Sequence, residues 1–480
     1  MQIVTKWMWH CSGALDSTEY MLAWWSFCYH ACLMGSYYIL QPFRDEMGLQ
    51  YGLEYIPSLF IIALGLIALM NPLFSYCVSK YPSSVFIPFT NRVLVTNLII
   101  FWCIFQLDLN YWEEVWKSPR LAPNGPGRWR RYLSCAFFLW VSVYSLFSVS
   151  VFWGFVTNII SNDRGKRLFG FIGAGGTIGQ LVGSAVTSLL ASWRNPTDVL
   201  LCSALVLELT LYCVRKLIAL RIQDMSPTNS PILPRRLNND NITAPCEADD
   251  ETTQNRPLDT KIKSVLSESI EGIKLVLQSR HLLCICGYLF LYSFTSSCLY
   301  FQKVDIVHTS LTSSATRTSF FANVNIAIGL GTLFVQLFWT RRLLATFGVT
   351  AALELVPVCT LVGFSLLSFQ HTLLMFAGVE TIRKTLNYAM SRPARELLYT
   401  VLSRSEKYKA KLFIDTFVCR SGDAVAAAMF AWLAVDSSRK DTHQWYAFLA
   451  SILWIVLAWY LGWVHIQKVA QLEIKFEQLS

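Results

Sequence analysis

Apolar windows of about 20 residues recur along nearly the whole of this 480-residue chain. A window of that length crosses the hydrocarbon core of a bilayer as a helix, in which every backbone polar group finds a partner. The composition agrees, because 54% of the residues are hydrophobic and only 15% are charged. We therefore predict an all-α polytopic membrane protein.

Twelve such windows can be counted, six on each side of one long polar segment. They lie at about residues 20–40, 55–76, 85–107, 132–160, a glycine-rich stretch ending near 191, 197–214, 282–301, 317–339, 347–369, 372–391, 412–435 and 445–465. Two six-helix halves joined by a central loop are the plan of the major facilitator class. The sequence therefore predicts a 6+6 arrangement of this type.

The polar segment between the halves sets the predicted domain boundaries. It is rich in Pro, Asn, Asp and Thr, too poor in apolar residues to bury a core, and followed by an amphipathic stretch at 260–280. We predict an N-terminal transmembrane half at 1–214, a cytoplasmic linker with an amphipathic helix at 215–281, and a C-terminal transmembrane half at 282–480.

Basic residues predict the orientation in the membrane. The net charge is +9, and the larger share of Lys and Arg lies in loops that are cytoplasmic if both termini are cytoplasmic. Membrane orientation explains this charge without a nucleic-acid partner. The first residues lack the pattern of a transit peptide, which favours the plasma membrane or an endomembrane over an organelle envelope.

A glycine-rich helix follows a short basic loop in the first half. Gly175, Gly179 and Gly183 recur every fourth residue and so share one face, which allows another helix to approach closely. We assign a role in helix packing and gating to these glycines and to the basic residues at the cytoplasmic end, Arg164, Lys166 and Arg167. A phosphate-binding loop is the alternative, but the spacing is not GxGxxG.

The tenth predicted span carries the densest set of ionisable residues inside the membrane. Glu380, Arg383, Lys384 and Asn387 lie three or four residues apart and form one stripe. A charge at the bilayer centre costs about 2.5–3.5 kcal/mol on insertion scales, so these side chains should face a cavity or a partner. The alternative is an ion pair between Glu380 and Lys384 that binds no ligand.

These charges define the candidate site. Cationic and polar candidates for binding an anionic substrate are Arg44, Arg383, Lys384, Asn387 and Arg420. Acidic candidates for coupling or charge pairing are Asp45, Glu354, Glu380, Asp415 and Asp423. The residues alone leave open whether the carboxylates carry protons or pair with the cations between substrate-bound states.

No pattern in the sequence predicts catalysis, a metal or a cofactor. The seven histidines are isolated, and neither HExxH nor GxSxG occurs. The fourteen cysteines are scattered mostly through apolar segments, so we expect free thiols and neither disulfides nor a metal site.

Three segments resemble one known family. They are the run from Tyr37 to Glu46, the stretch from Phe152 to Gly176 with its Arg-Gly-Lys-Arg-Leu-Phe-Gly motif, and the run from Arg392 to Lys411 that begins Arg-Pro-Ala-Arg-Glu. Together they resemble the ATP/ADP translocases of plastids and intracellular bacteria and, more closely, relatives of these within the major facilitator superfamily. The resemblance implies nucleotide exchange by alternating access, with cations binding phosphates between the halves.

The sequence therefore predicts a secondary transporter of an organic anion, with ATP/ADP or another nucleotide as the first candidate. Three alternatives stay open: a proton-coupled carrier of another solute, a polytopic membrane enzyme, and a receptor or scaffold that does not transport. The expected partners are a small anionic substrate and the lipid bilayer, and the sequence gives no oligomeric state.

Overall fold

The computed structural model describes residues 17–117, 127–160, 162–193, 195–224, 274–399, 401–402, 414–434 and 442–477. Within these ranges the regular elements are helices. Most of the predicted linker and of its amphipathic helix lies outside the described residues, so the division at 214 and 281 stays a prediction.

Six long helices form the first half of the chain. They are α1 Ser17–Tyr51, α2 Ile56–Lys80, α3 Ser83–Lys117, α4 Gly127–Ile159, α5 Asn162–Trp193 and α6 Val199–Asp224. Short 3₁₀ turns at Leu53–Tyr55 and Pro196–Asp198 lead into α2 and α6, each with a proline in the first helical turn or just before it.

The second half contains longer and shorter helices. They are α7 Arg280–Ser310, α8 Ser314–Phe338, α9 Thr340–Phe369, α10 Leu373–Leu386, α11 Arg392–Leu398, α12 Cys419–Ala434 and α13 Thr442–Glu477. A π-helical turn, Asn387–Ser391, joins α10 to α11, and another, Ile414–Val418, precedes α12. Such turns occur frequently at functional sites.

Nine of the described helices are long and apolar enough to cross a membrane, namely α2 to α9 and α13. This confirms the predicted all-α polytopic class, whereas the count of twelve spans stays a prediction. Helix α1 is long but too polar for this criterion, and α10 and α12 are too short for it, with 14 and 16 residues; all three carry polar and charged side chains that line a common cavity. A buried polar lining lowers hydropathy without preventing a helix from being enclosed by its neighbours.

The glycine stripe of α5 packs against α1. A Cβ atom at Gly179 would collide with the carbonyl of Ala31, and one at Gly183 with the carbonyl of Gly35. A Cβ atom at Gly175 would come within 2.6 Å of the carbonyl oxygen of Phe27. The bare backbone therefore allows close contact between two helices of the same half.

Another face of α5 meets the second half. Leu181 of α5 packs on Gly329 of α8, and Gln180 donates a hydrogen bond to the carbonyl of Asn325 at 3.2 Å. Near the end of α5, Ser188 donates to the side chain of Asn323 at 2.7 Å. Helix α5 thus lies between α1 and α8.

Buried apolar side chains form three clusters that follow the two halves. One cluster contains residues from Leu22 to Leu217, and a second contains residues from Val276 to Leu461. The third joins Leu49 and Ile56 of the first half to side chains of α7, α8 and α10. The halves therefore share apolar as well as polar contacts.

Candidate functional site

A cavity of about 250 Å³ lies between the two halves. Helices α1, α2 and α4 line it from the first half, and α7, α10 and α12 line it from the second. The charged side chains in its lining are Arg44, Lys303, Arg383, Lys384 and Arg420, with Asp45, Glu380 and Asp423. Ionisable groups gathered in a cavity of a membrane protein mark a functional site by default.

Asp45 connects the halves at one side of the cavity. Its carboxylate accepts hydrogen bonds from Lys303 on α7 at 2.6 Å, from Arg44 at 2.8 Å and from the Tyr300 hydroxyl at 3.2 Å. The Asp45 side chain is only 3% exposed. Three donors replace the water that this charge loses on burial, which offsets the cost of desolvation.

A second ion pair lies beside it. The Glu46 carboxylate is fully buried and accepts two hydrogen bonds from Arg317 on α8, at 2.7 and 2.8 Å. Gln50 donates to the same carboxylate at 3.2 Å and to Ser314 of α8 at 3.2 Å. The end of α1 is thereby held to both α7 and α8.

Glu380 organises the charges on α10. It pairs with Arg383 at 3.0 Å and with Lys384 at 2.8 Å, one helical turn further along. Arg383 is buried and also donates to the Ser296 hydroxyl of α7 at 2.9 Å. The ion pair considered in the sequence analysis is therefore present, and it lies in the cavity wall.

A third carboxylate lies on α12. Asp423 accepts a hydrogen bond from the Ser297 hydroxyl of α7 at 2.8 Å and pairs with Arg420 at 3.5 Å. Arg420 is the more exposed partner, at 36% against 20% for Asp423. This looser pair gives Arg420 freedom to contact a ligand in the cavity.

The lining carries more positive than negative charge. Five cationic residues face three carboxylates, which leaves an excess of two positive charges. In a cleft with low-dielectric walls, an excess of one sign raises the local concentration of ions of the opposite sign. The arrangement suits an anionic solute.

The other predicted residues lie elsewhere. Asn387 is buried in the π-helical turn after α10, and Glu354 is a half-buried residue of α9 outside the cavity lining. The glycine stripe lies at the contact of α5 with α1. The side chains of Arg164, Lys166, Arg167 and Asp415 lie outside the described part of the structure.

Two cationic residues at the interface were missed from the sequence. Lys303 was predicted to lie in a loop after a span ending near residue 301, but α7 continues to Ser310 and buries it. A signal was available, since Tyr292, Ser296 and Tyr300 recur every fourth residue and extend the polar stripe toward Lys303. Arg317, at the predicted start of the next span, carried no such signal.

No metal centre is visible among the side chains that the structure describes, because they include no group of three His, Cys, Asp or Glu residues placed to hold an ion. The described cysteines are free thiols. The cavity lining offers charged groups, hydroxyls and aromatic rings for contact with a solute.

A protein-family comparison decides the assignment. The model described as TLC ATP/ADP transporter matches residues 131–472. The chain belongs to the TLC ATP/ADP transporter family. It is therefore a multi-pass integral membrane protein and a secondary transporter of a small molecule. The match spans α4 to most of α13, so it includes the charged stripe of α10 but not the ion pairs contributed by α1.

The fold of this TLC family member is similar to that of two solved membrane transporters. The crystal structure of a bacterial homologue of the iron transporter ferroportin, in an inward-facing state, has a TM-score of 0.59 at 9% identity and covers 94% of this chain and 99% of that chain. The crystal structure of the nucleoside transporter NupG has a TM-score of 0.50 at 13% identity and covers 93% of this chain and 98% of that chain. No curated protein matches this chain. At these identities the likeness concerns the fold alone.

Proposed function

We propose that the protein exchanges nucleotides, with ATP and ADP as first candidates, through the cavity between its halves. The observation that carries this proposal is the excess of two positive charges in the lining. Nucleoside di- and triphosphates are polyanions, and Arg and Lys are the usual residues that bind phosphate groups. The family name is consistent with this class of substrate.

The ion pairs give the cavity a way to hold its cations without substrate. Glu380 pairs with Arg383 and Lys384, and Asp45 pairs with Arg44 and Lys303. An entering phosphate competes with these carboxylates for the same donors. Loading the cavity therefore exchanges internal ion pairs for contacts with the substrate, and unloading restores them.

This competition favours exchange over one-way transport. A transporter without substrate restores the Asp45–Lys303 and Glu46–Arg317 pairs, which join the halves. A bound anion releases Lys303 from Asp45 and loosens that connection. We propose that the halves change their relative position readily only when the cavity is loaded, as alternating access by exchange requires.

Aromatic side chains supply a surface for a base. Tyr37, Phe60, Phe138, Tyr292 and Tyr300 line the cavity together with the charged residues. Stacking of a base on an aromatic ring contributes about 1–3 kcal/mol. The volume of about 250 Å³ lies just below the usual range for small-molecule sites, about 300–1,000 Å³, so a nucleotide requires the halves to move apart.

The test is uptake of radiolabelled ADP into vesicles that contain the purified protein, with or without unlabelled ATP inside. We expect rapid uptake only into loaded vesicles, and a loss of about 10- to 150-fold in Lys384→Gln, because a hydrogen bond to a charged group contributes about 1.5–3 kcal/mol. Lys216→Gln is the matched control, since Lys216 is an exposed residue of α6 outside the cavity lining.

Two outcomes distinguish the proposal from its rivals. Uptake that follows a pH gradient and needs no internal nucleotide identifies proton coupling. A folded protein that takes up no nucleotide under any condition contradicts the nucleotide assignment and leaves a transporter of another anion, or a receptor built on this fold.

We also propose that both termini are cytoplasmic and that the protein resides in the plasma membrane or an endomembrane. The distribution of Lys and Arg supports this orientation. Protease protection of epitope tags at the two termini, in intact and permeabilised cells, tests it. Tags that are cleaved in intact cells contradict it.

A further inference from the structure

Asn387 has an unused hydrogen-bonding group deep inside the second half. The residue opens the π-helical turn after α10 and is 1% exposed. Its Nδ2 donates to the Tyr292 hydroxyl at 2.9 Å, while its Oδ1 has no hydrogen-bond partner among the described residues. Buried amide oxygens are almost always paired in native proteins, so an unpaired one calls for an explanation.

The position of Asn387 connects it to the proposed site. It follows Arg383 and Lys384 by four and three residues, so it lies about one helical turn, about 5 Å, further along the same face. Tyr292, its hydrogen-bond partner, lines the cavity. A ligand that places phosphates on Arg383 and Lys384 can therefore extend its other end to the Tyr292–Asn387 pair.

The chemistry of the amide selects a base. An Asn side chain pairs with adenine through two hydrogen bonds, because its oxygen accepts from the exocyclic amino group and its nitrogen donates to the adjacent ring nitrogen. Only one of the two Nδ2 hydrogens is used by Tyr292, so the second remains for this role. Because a tyrosine hydroxyl both donates and accepts, the Tyr292 contact holds the Asn387 side chain in place in either orientation of its amide.

We propose that Asn387, oriented by Tyr292, reads the base of the transported nucleotide and selects adenine over guanine. Guanine has a carbonyl where adenine has its amino group, which would place two acceptors against each other at Oδ1. Tyr292 lines the cavity and Asn387 lies behind it, so access of the base to the amide requires Tyr292 to move aside. This inference rests on the nucleotide exchange proposed above and adds the residue that recognises the base.

The test is competition against radiolabelled ADP uptake by unlabelled ADP, GDP and pyrophosphate. In the wild-type protein we expect ADP to compete about 10- to 100-fold better than GDP, the range that one bidentate base contact provides. Asn387→Asp should reverse this preference, since a carboxylate accepts from both donors of guanine, N1–H and the N2 amino group. Asn387→Ser should remove the preference and leave pyrophosphate competition unchanged.

The matched control is Asn91→Asp. Asn91 is a buried asparagine of α3 that donates to Thr210 at 2.8 Å in the first half, so its variant should keep the preference for ADP.

Each result decides the inference. If wild-type protein exchanges ADP and both Asn387 variants retain its ADP-to-GDP ratio, base reading by Asn387 is wrong while nucleotide exchange stands. If wild-type protein responds to none of the nucleotides, the proposed function fails, and the assignment of Asn387 fails with it. A reversed ratio in Asn387→Asp supports the inference, because a purely structural residue would change activity without changing the ratio.

Discussion

The Glu46–Arg317 ion pair holds α1 of the first half to α8 of the second, and its removal should open this contact. Glu46→Gln keeps the shape of the side chain and leaves Arg317 without its anion. Arg317 is 14% exposed and keeps hydrogen bonds at 3.2 Å to the carbonyls of Leu311 and Thr312. Removing one partner of a fully buried ion pair destabilises a protein by about 3–5 kcal/mol. For an exposed ion pair the loss is about 0–1 kcal/mol.

We take about 2–3 kcal/mol for this pair, because Glu46 is completely buried whereas Arg317 retains two partners and some water. The open population should then rise by about 30- to 150-fold. Carbodiimide labelling of Asp45, followed by mass spectrometry, measures this population, since the Asp45 carboxylate is 3% exposed in the closed arrangement. The labelling rate of Asp45 should rise by the same factor.

The labelling experiment contains its own references. Glu208 is 48% exposed, so its labelling rate should be the same in both proteins. Arg92→Gln breaks the exposed Arg92–Glu208 pair and should leave Asp45 protected. Exchanging the charges, Glu46→Arg with Arg317→Glu, should restore most of the protection. An unchanged Asp45 rate in Glu46→Gln, or no recovery in the exchanged pair, would refute the reasoning.

Two further predictions concern packing and transport. Gly179→Ala should lower the free energy of unfolding in detergent by about 1–3 kcal/mol, because its Cβ meets the Ala31 carbonyl. Gly173→Ala, with open space around it, should be neutral or stabilising. Equal melting temperatures for these two variants would contradict this account. Glu380→Gln should lower both KM and kcat for ADP exchange, each by about tenfold, because Arg383 and Lys384 then lack a competing carboxylate and hold the substrate longer. Glu354→Gln, outside the cavity lining, should change neither constant. A raised KM in Glu380→Gln would contradict the competition between Glu380 and the substrate.

The sequence predicted the class of fold because hydropathy over about 20 residues is a property of each segment alone. It also placed Glu380, Arg383 and Lys384 on one face, since positions three and four apart on a helix share a face in any tertiary context. These three residues lie together in the cavity wall.

Partners from distant segments could not be predicted in the same way. The pairs Asp45–Lys303 and Glu46–Arg317 join residues more than 250 positions apart, and their geometry depends on how two halves meet. The charges themselves ended the predicted spans too early, near residues 40 and 301, because an unpaired charge is costly in lipid. Paired across the interface, the same charges lie inside α1 and α7.

The most direct test of the central claim is an experimental structure determined with saturating ADP. The account predicts that the phosphates lie between the halves, within about 3.2 Å of the Lys384 Nζ and the Arg383 guanidinium, with the Lys384–Glu380 pair broken. Nucleotide bound elsewhere, or an empty cavity that retains both Glu380 ion pairs at saturating ADP, would contradict it.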